Sequence, residues 1–215
     1  LLAAALTFAT FSAVVGMGQM LVITLGPGNI DLSIPATMTL AGTLSLKLIN
    51  TEAGMILPGF LAALGIGLVA GSANFALIRL LRIPPIIATL SASFLYQSVA
   101  IWSNRGLRIK PPEALGDFTT GTLAGVPNLA LVGLALSVLI WLTLERSIYG
   151  RWISAIGQNL RAARLSGVPV DLVRAATYLS SATLAALAGF LLAAFSGGAA
   201  LNMGSEYLLM SVAVV

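Results

Sequence analysis

The chain has 215 residues, of which 58% are hydrophobic and 8% charged, against about 25% charged in an ordinary soluble domain. A water-exposed globular surface cannot be built from that inventory, so the composition indicates a polytopic α-helical membrane protein. The net charge of +4 falls in short connecting segments rather than on a nucleic-acid-binding face, and with no Cys and no His the chain has no thiol chemistry, disulfide or usual zinc or haem site.

A bilayer-spanning helix takes about 20 mostly apolar residues. Leu1 to Leu25 meets that requirement, with Ala5, Ala9 and Ala13 forming a smooth face. The segment GPGNIDLS, residues 26–33, then interrupts the helix with two glycines, a proline and Asp31. Leu32 to Leu46 resumes an apolar run, with Pro35 tolerable in its first turn, and Lys47 to Gly54 reads as a loop. Met55 to Leu81 is the third span. Gly59, Ala63, Gly67 and Gly71 recur along it at four-residue intervals, a groove for close helix packing.

Arg79 and Arg82 close that span, and Pro84 and Pro85 open a fourth that runs to about Trp102. Asn104 to Pro127 is a long, nearly neutral polar stretch. Pro127 to Leu144 is the fifth span and Ala175 to Phe195 the sixth, with Ser181, Ala185, Gly189 and Ala193 as a second small-residue stripe. Gly197 to Ser205 reads as a loop, and Glu206 begins a seventh helix, where the helix dipole favours an anion. The chain opens without an initiator Met and stops inside an apolar run, so it is expected to be a fragment lacking C-terminal helices; its opening run lacks the basic start of a signal peptide.

Between the fifth and sixth spans lies RSIYGRWISAIGQNLRAARLSGVPVDLVR, which holds five of the eleven Lys and Arg residues. Placing residues 145–174 in the cytoplasm also places Arg79 and Arg82 there, leaving Lys47, Arg105, Arg108 and Lys110 outside, in keeping with the positive-inside rule. Within the segment, Asn159 suits an N-cap, LRAARLS provides about two turns of good helix formers, and Gly167 with Pro169 ends the helix. Arg161, Arg164 and Leu165 share one face; Ala162, Ala163 and Ser166 form a small opposite face fit to dock in a groove. The alternative is that the arginines only anchor the loop at lipid headgroups.

The run YGRWISAIGQNLRAARLSGVPV resembles the signature of the ribose-type permeases of bacterial ATP-binding-cassette importers, through Gly150, Arg151, Ala155, Ile156, Gly157, Asn159, Ala162, Ala163, Arg164, Leu165, Ser166 and Gly167. GQMLVITLGPGNIDLSI, RIPPIIATL, AALAGFLLAA and GSEYLLMSVAVV resemble further blocks of that family in the same order. The match departs at residues 26–29 and at Leu208, Leu209 and Met210. The resemblance implies an all-α, polytopic transmembrane bundle with broken helices, a single permease domain over 1–215, and a short cytoplasmic coupling helix within 145–174. Gly157, Asn159, Arg161, Ala162, Ala163, Arg164, Leu165 and Gly167 would then engage the ATPase.

It further implies a bacterial inner-membrane subunit that translocates a sugar or sugar-like solute inward and performs no covalent chemistry. No phosphate-binding Gly–Lys–Ser/Thr loop is present, so ATP and Mg would be used by separate ATPase subunits. The other implied partners are a second permease subunit and an extracytoplasmic solute-binding protein. The chain itself carries no expected cofactor, metal or catalytic residue.

Asn29, Asp31 and Ser33 are candidate pathway groups. Irregular backbone at membrane depth lines water or protein, and an ionisable residue there is a functional candidate. The competing role for Asp31 is capping of the second helix. Gln97, Asn74 and Tyr96 are lesser pathway candidates, and Trp102, Trp141 and Trp152 read as interface anchors. Two other classes compete with the importer. An ion-coupled secondary transporter would use Asp31 and Glu206 but should show paired broken helices. An intramembrane hydrolase needs two converging carboxylates.

Overall fold

A computed structural model describes residues 2–104 and 109–213. It is almost entirely helical, and five helices are long and apolar enough to cross a membrane. Helix α1 (Leu2–Ile23) leads into an irregular break, and α2 (Ile34–Ile49) follows. α2 runs through Lys47, which the sequence placed in a loop, and at 16 residues it falls short of a span. A left-handed pair, Asn50 (φ 44°) and Thr51 (φ 70°), reverses the chain into a short 3₁₀ turn and α3 (Ile56–Arg79). α4 (Pro85–Asn104) returns.

The polar stretch between the fourth and fifth spans contains α5 (Glu113–Thr120) and a small hairpin, β1 (Thr122–Leu123) with β2 (Val126–Pro127). Its turn, Ala124–Gly125, has φ of 52° and 82°, the conformation that matches strand twist in a two-residue hairpin. Arg105 and Arg108, expected on that side of the membrane, lie outside the described residues. α6 (Asn128–Arg146) crosses back to α7 (Ile148–Gln158) and α8 (Leu160–Leu165); α9 (Val170–Phe195) and α10 (Tyr207–Ala213) complete the chain.

α9 is the axis of the bundle. It is 72% buried along its most apolar stretch, whereas α6 is 11% buried and peripheral. The two small-residue stripes explain how neighbours reach it. A Cβ at Gly67 would come 2.6 Å from the Thr183 Cα, and one at Gly189 would come 2.1 Å from the Met38 carbonyl oxygen. Backbones of α3 and α2 therefore touch α9 directly, which only small residues permit. Ala5 and Ala9, by contrast, are exposed, so the smooth face of α1 is not a packed one.

After α9 the chain does not simply emerge as a loop. Residues 196–206 fold back against α4 and the start of α2. Asn104 Nδ2 donates to the Ala199 carbonyl and Gln97 Nε2 to that of Leu201, while Gly204 packs on the Pro35 backbone. Those side chains supply hydrogen bonds that a non-helical segment inside a bundle otherwise lacks. Glu206 lies one residue before α10 and is exposed, beside Ser12 and Tyr207 rather than within the helix.

Candidate functional site

The arginines of α3, α8 and α9 converge at one end of the bundle. Arg79 pairs with Asp171 at 2.9 Å, and Arg82, Arg164 and Arg174 line the same groove. This is the end that the positive-inside rule assigns to the cytoplasm, and α7 and α8 lie across it. α7 begins at Ser147, whose Oγ accepts from the Gly150 amide at 3.1 Å, and it buries Ile153 and Ile156. α8 begins one residue later. Asn159 Oδ1 accepts from the Ala162 amide at 3.0 Å, satisfying one of the free N–H groups of the first turn.

The end of α8 is equally defined. Gly167 has φ 82°, its amide donates to the Arg164 carbonyl, and the Val168 amide donates to that of Ala163. This bond pair closes a helix around a left-handed residue. The two faces of α8 differ from the sequence reading. Ala163 is 4% exposed and packs into the protein, whereas Leu165 is 84% exposed and Leu160 42%. Ala163 therefore lies off the exposed surface of α8. The outward surface consists of Leu160, Arg161, Ala162, Arg164 and Leu165, an exposed leucine pair ringed by cations. The reason is tertiary: α8 rests on the start of α9, and the side chain pointing there must be small.

Gly157 is also internal rather than outward. A Cβ there would lie 2.1 Å from the Thr24 carbonyl oxygen, and Gly26 faces the Gly157 carbonyl in turn. The end of α7 is thus seated directly on the break after α1.

That break is held by a buried polar network. Asp31 is wholly buried. Its Oδ1 accepts from the Ser33 amide at 2.9 Å and the Ser33 hydroxyl at 2.6 Å, and its Oδ2 accepts from Ser181 Oγ at 3.4 Å. Ser33 Oγ accepts from Asn74 Nδ2 at 2.8 Å, and Asn74 Oδ1 accepts from the Tyr96 hydroxyl at 3.0 Å. On the other side, the Asp31 amide donates to Gln19 Oε1 at 3.3 Å, and the Leu32 amide donates to Thr89 Oγ1 at 3.0 Å. Arg174 Nη2 and the Tyr178 hydroxyl both donate to Asn29 Oδ1, at 3.3 and 3.4 Å. Side chains of α1, α3, α4 and α9 thus converge on ten residues of non-helical backbone between α1 and α2. Among the described residues no cation pairs with Asp31, so hydroxyl and amide donors alone solvate its carboxylate.

The model of the family described as the permease component of branched-chain amino acid transport systems matches residues 1–215. The chain belongs to this permease family. The galactofuranose transporter permease protein YtfT of Escherichia coli (strain K12) is 35% identical over 91% of this chain and 57% of its own length. The probable ABC transporter permease protein y4mJ of Sinorhizobium fredii is 30% identical over 94% of this chain and 60% of its own length. The autoinducer 2 import system permease protein LsrC of Enterobacter sp. (strain 638) is 33% identical over 97% and 63% respectively. The chain spans about three-fifths of the length of these relatives. Family membership and the five apolar helices make it a multi-pass protein of the inner membrane.

Within this permease, Asn29, Asp31 and Ser33 stand together, each at most 8% exposed. Gln97 does not join them; it supports the folded-back segment through Leu201. Asp31 does not cap α2 either. Its carboxylate closes a turn onto Ser33, and Ser33 is the residue at the N-cap position. Gln19, Thr89, Arg174, Tyr178 and Ser181 were not among the site residues read from the sequence. Ser181 is 150 residues from Asp31 along the chain, and no local pattern links them. Gln19 alone carried a signal, a lone amide in an apolar span.

Proposed function

We propose that this permease is the membrane-embedded part of an ATP-binding-cassette importer for a sugar or sugar-like small solute. Two permease subunits, identical or similar, would pair, with two ATPases docked on the basic end and a soluble solute-binding protein at the opposite end. ATP and Mg belong to the ATPases, and this chain contributes shape change alone. The family and the printed names of its relatives support the class of transport; their names, galactofuranose and autoinducer 2, favour sugar-like solutes over the amino acids of the family description.

The observation that carries the coupling role is the backbone contact between Gly157 and Thr24. A partner that grips Leu160, Arg161, Arg164 and Leu165 on α8 moves α7, and the end of α7 bears on the break between α1 and α2. Asn159 and Gly167 keep α8 rigid enough to transmit that movement. In this conformation Asp31 and Ser33 are sealed. Separation of α9 from the break would expose them, with Asn29, toward the pathway, while Gln97 governs the folded-back segment beside it.

The test is uptake by proteoliposomes containing the permease with and without its ATPases, alongside a binding screen of the soluble partner against pentoses, hexoses, furanosyl compounds and branched-chain amino acids. Strictly ATP-dependent uptake of a sugar is the expected result. Ion-driven uptake without ATPase would establish the secondary-transport alternative, although Asp31 is buried beside Gln19 whereas Glu206 is exposed in a separate cleft lined by Ser12.

A further inference from the structure

The arginine groove at the basic end has a volume of about 470 Å³. Four arginines line it, and among the described residues only Arg79 is matched by a carboxylate, that of Asp171. Arg174 donates to a neutral amide on Asn29. Arg82 stands just past the end of α3 with φ 56°, a left-handed conformation costly for a residue with a side chain, and its exposed guanidinium belongs to the groove wall. Phe75 and Leu172 give the groove an apolar side.

A second cleft, of about 330 Å³, lies between the same two helices and is lined by Leu68, Leu179, Ser180 and Thr183, with Ile140 of α6 closing it. Phe75 and Leu68 on α3 are seven residues apart, as are Leu172 and Leu179 on α9, so both walls rise by about two helical turns, ~10 Å. The seam between α3 and α9 is therefore cationic at the basic end and apolar one step deeper. That polarity matches one molecule, and a solvated acidic protein segment would leave the apolar part unfilled.

We propose that this seam binds an anionic glycerophospholipid of the inner leaflet, its phosphate among Arg79, Arg82, Arg164 and Arg174 and one acyl chain in the cleft. Phosphate oxygens take the forked guanidinium donors, and the basic end faces the leaflet surface where anionic headgroups concentrate. The site shares Arg164 with the exposed surface of α8; its other three arginines lie on α9 and at or just past the end of α3.

The test uses the whole protein purified in mild detergent, with retained lipid counted by native mass spectrometry, then rebuilt in phosphatidylcholine nanodiscs and titrated with phosphatidylglycerol. We expect selective retention of phosphatidylglycerol, unaffected by excess inorganic phosphate. Arg82→Gln should weaken it about five-fold, the factor of one basic side chain at an anionic surface. Ser180→Trp should displace the lipid by filling the cleft while leaving the arginines intact. The wild-type comparison of the two lipids stands even where a variant misfolds. Equal retention of phosphatidylcholine would overturn the proposal. So would displacement by inorganic phosphate with Ser180→Trp silent, which identifies a free-anion site. Unchanged lipid selectivity in Arg82→Gln, with ATPase association lost instead, would assign the groove to an acidic partner segment and equally end it.

Discussion

Gly157 rests against the Thr24 carbonyl so closely that a Cβ would approach it to 2.1 Å. This contact joins the end of α7 to the break between α1 and α2 with no side chain between them. Movement of α7 thus reaches the break without passing through a flexible rotamer.

Gly157→Ala should therefore separate α7 from the break or shift both backbones. Overpacking of this kind costs about 1–3 kcal/mol, and transport should fall more than stability does. Thermal unfolding and ATP-driven uptake measured together check this. Gly116→Ala is the control, because nothing lies within 4 Å of a Cβ there; it should leave transport unchanged and, inside helix α5, should not lower stability.

Asp31→Asn retains an oxygen to accept from the Ser33 amide and hydroxyl, whereas Asp31→Leu leaves these donors and Ser181 without an acceptor. Each buried donor left unpaired costs about 1–3 kcal/mol. Folding should survive the first change and fail with the second. If transport also survives Asp31→Asn, the role of the carboxylate is to hold the break. Transport lost with Asp31→Asn in a stable protein would show that the charge itself is needed.

On α8, Leu165→Glu should abolish co-purification with the ATPase while the protein stays folded in the membrane, since Leu165 is 84% exposed. Ala163→Glu should instead unfold the segment, because Ala163 is buried and an unpaired charge there is costly. Wild-type ATPase association in Leu165→Glu would remove the exposed face of α8 from the coupling surface.

The caps of α8 can be tested separately. Asn159→Ala should cost about 1 kcal/mol and weaken ATPase association without abolishing it. Gly167→Pro should be more severe, since proline cannot adopt φ 82° and lacks the N–H that reaches the Arg164 carbonyl. Loss of association with normal membrane insertion is the expected result, read by affinity capture and membrane fractionation.

Much of the fold was legible from local signals. The apolar runs located the spans, and the caps Asn159 and Gly167 located α8 because each acts on backbone within its own turn. α7 could have been found too, from Tyr149, Trp152, Ile153 and Ile156 recurring at three- and four-residue spacing. The folded-back segment 196–206 was not legible, because its carbonyls depend on Asn104 and Gln97 of α4, about a hundred residues earlier in the chain.

The membrane class, the helical architecture, the basic end and the capped short helix can all be read from the chain alone. Hydropathy, loop charge and capping are all local properties. Packing in three dimensions sets which face of each helix turns inward, that Ala163 packs while Leu165 projects, and that Asp31 meets Ser181 and Ser33 instead of capping α2. The physical reason is the solvent. In lipid, outward and inward faces are both apolar, so the periodicity that marks a buried face in water disappears, and the choice passes to backbone fit at Gly67, Gly157 and Gly189 and to polar partners far apart in the chain.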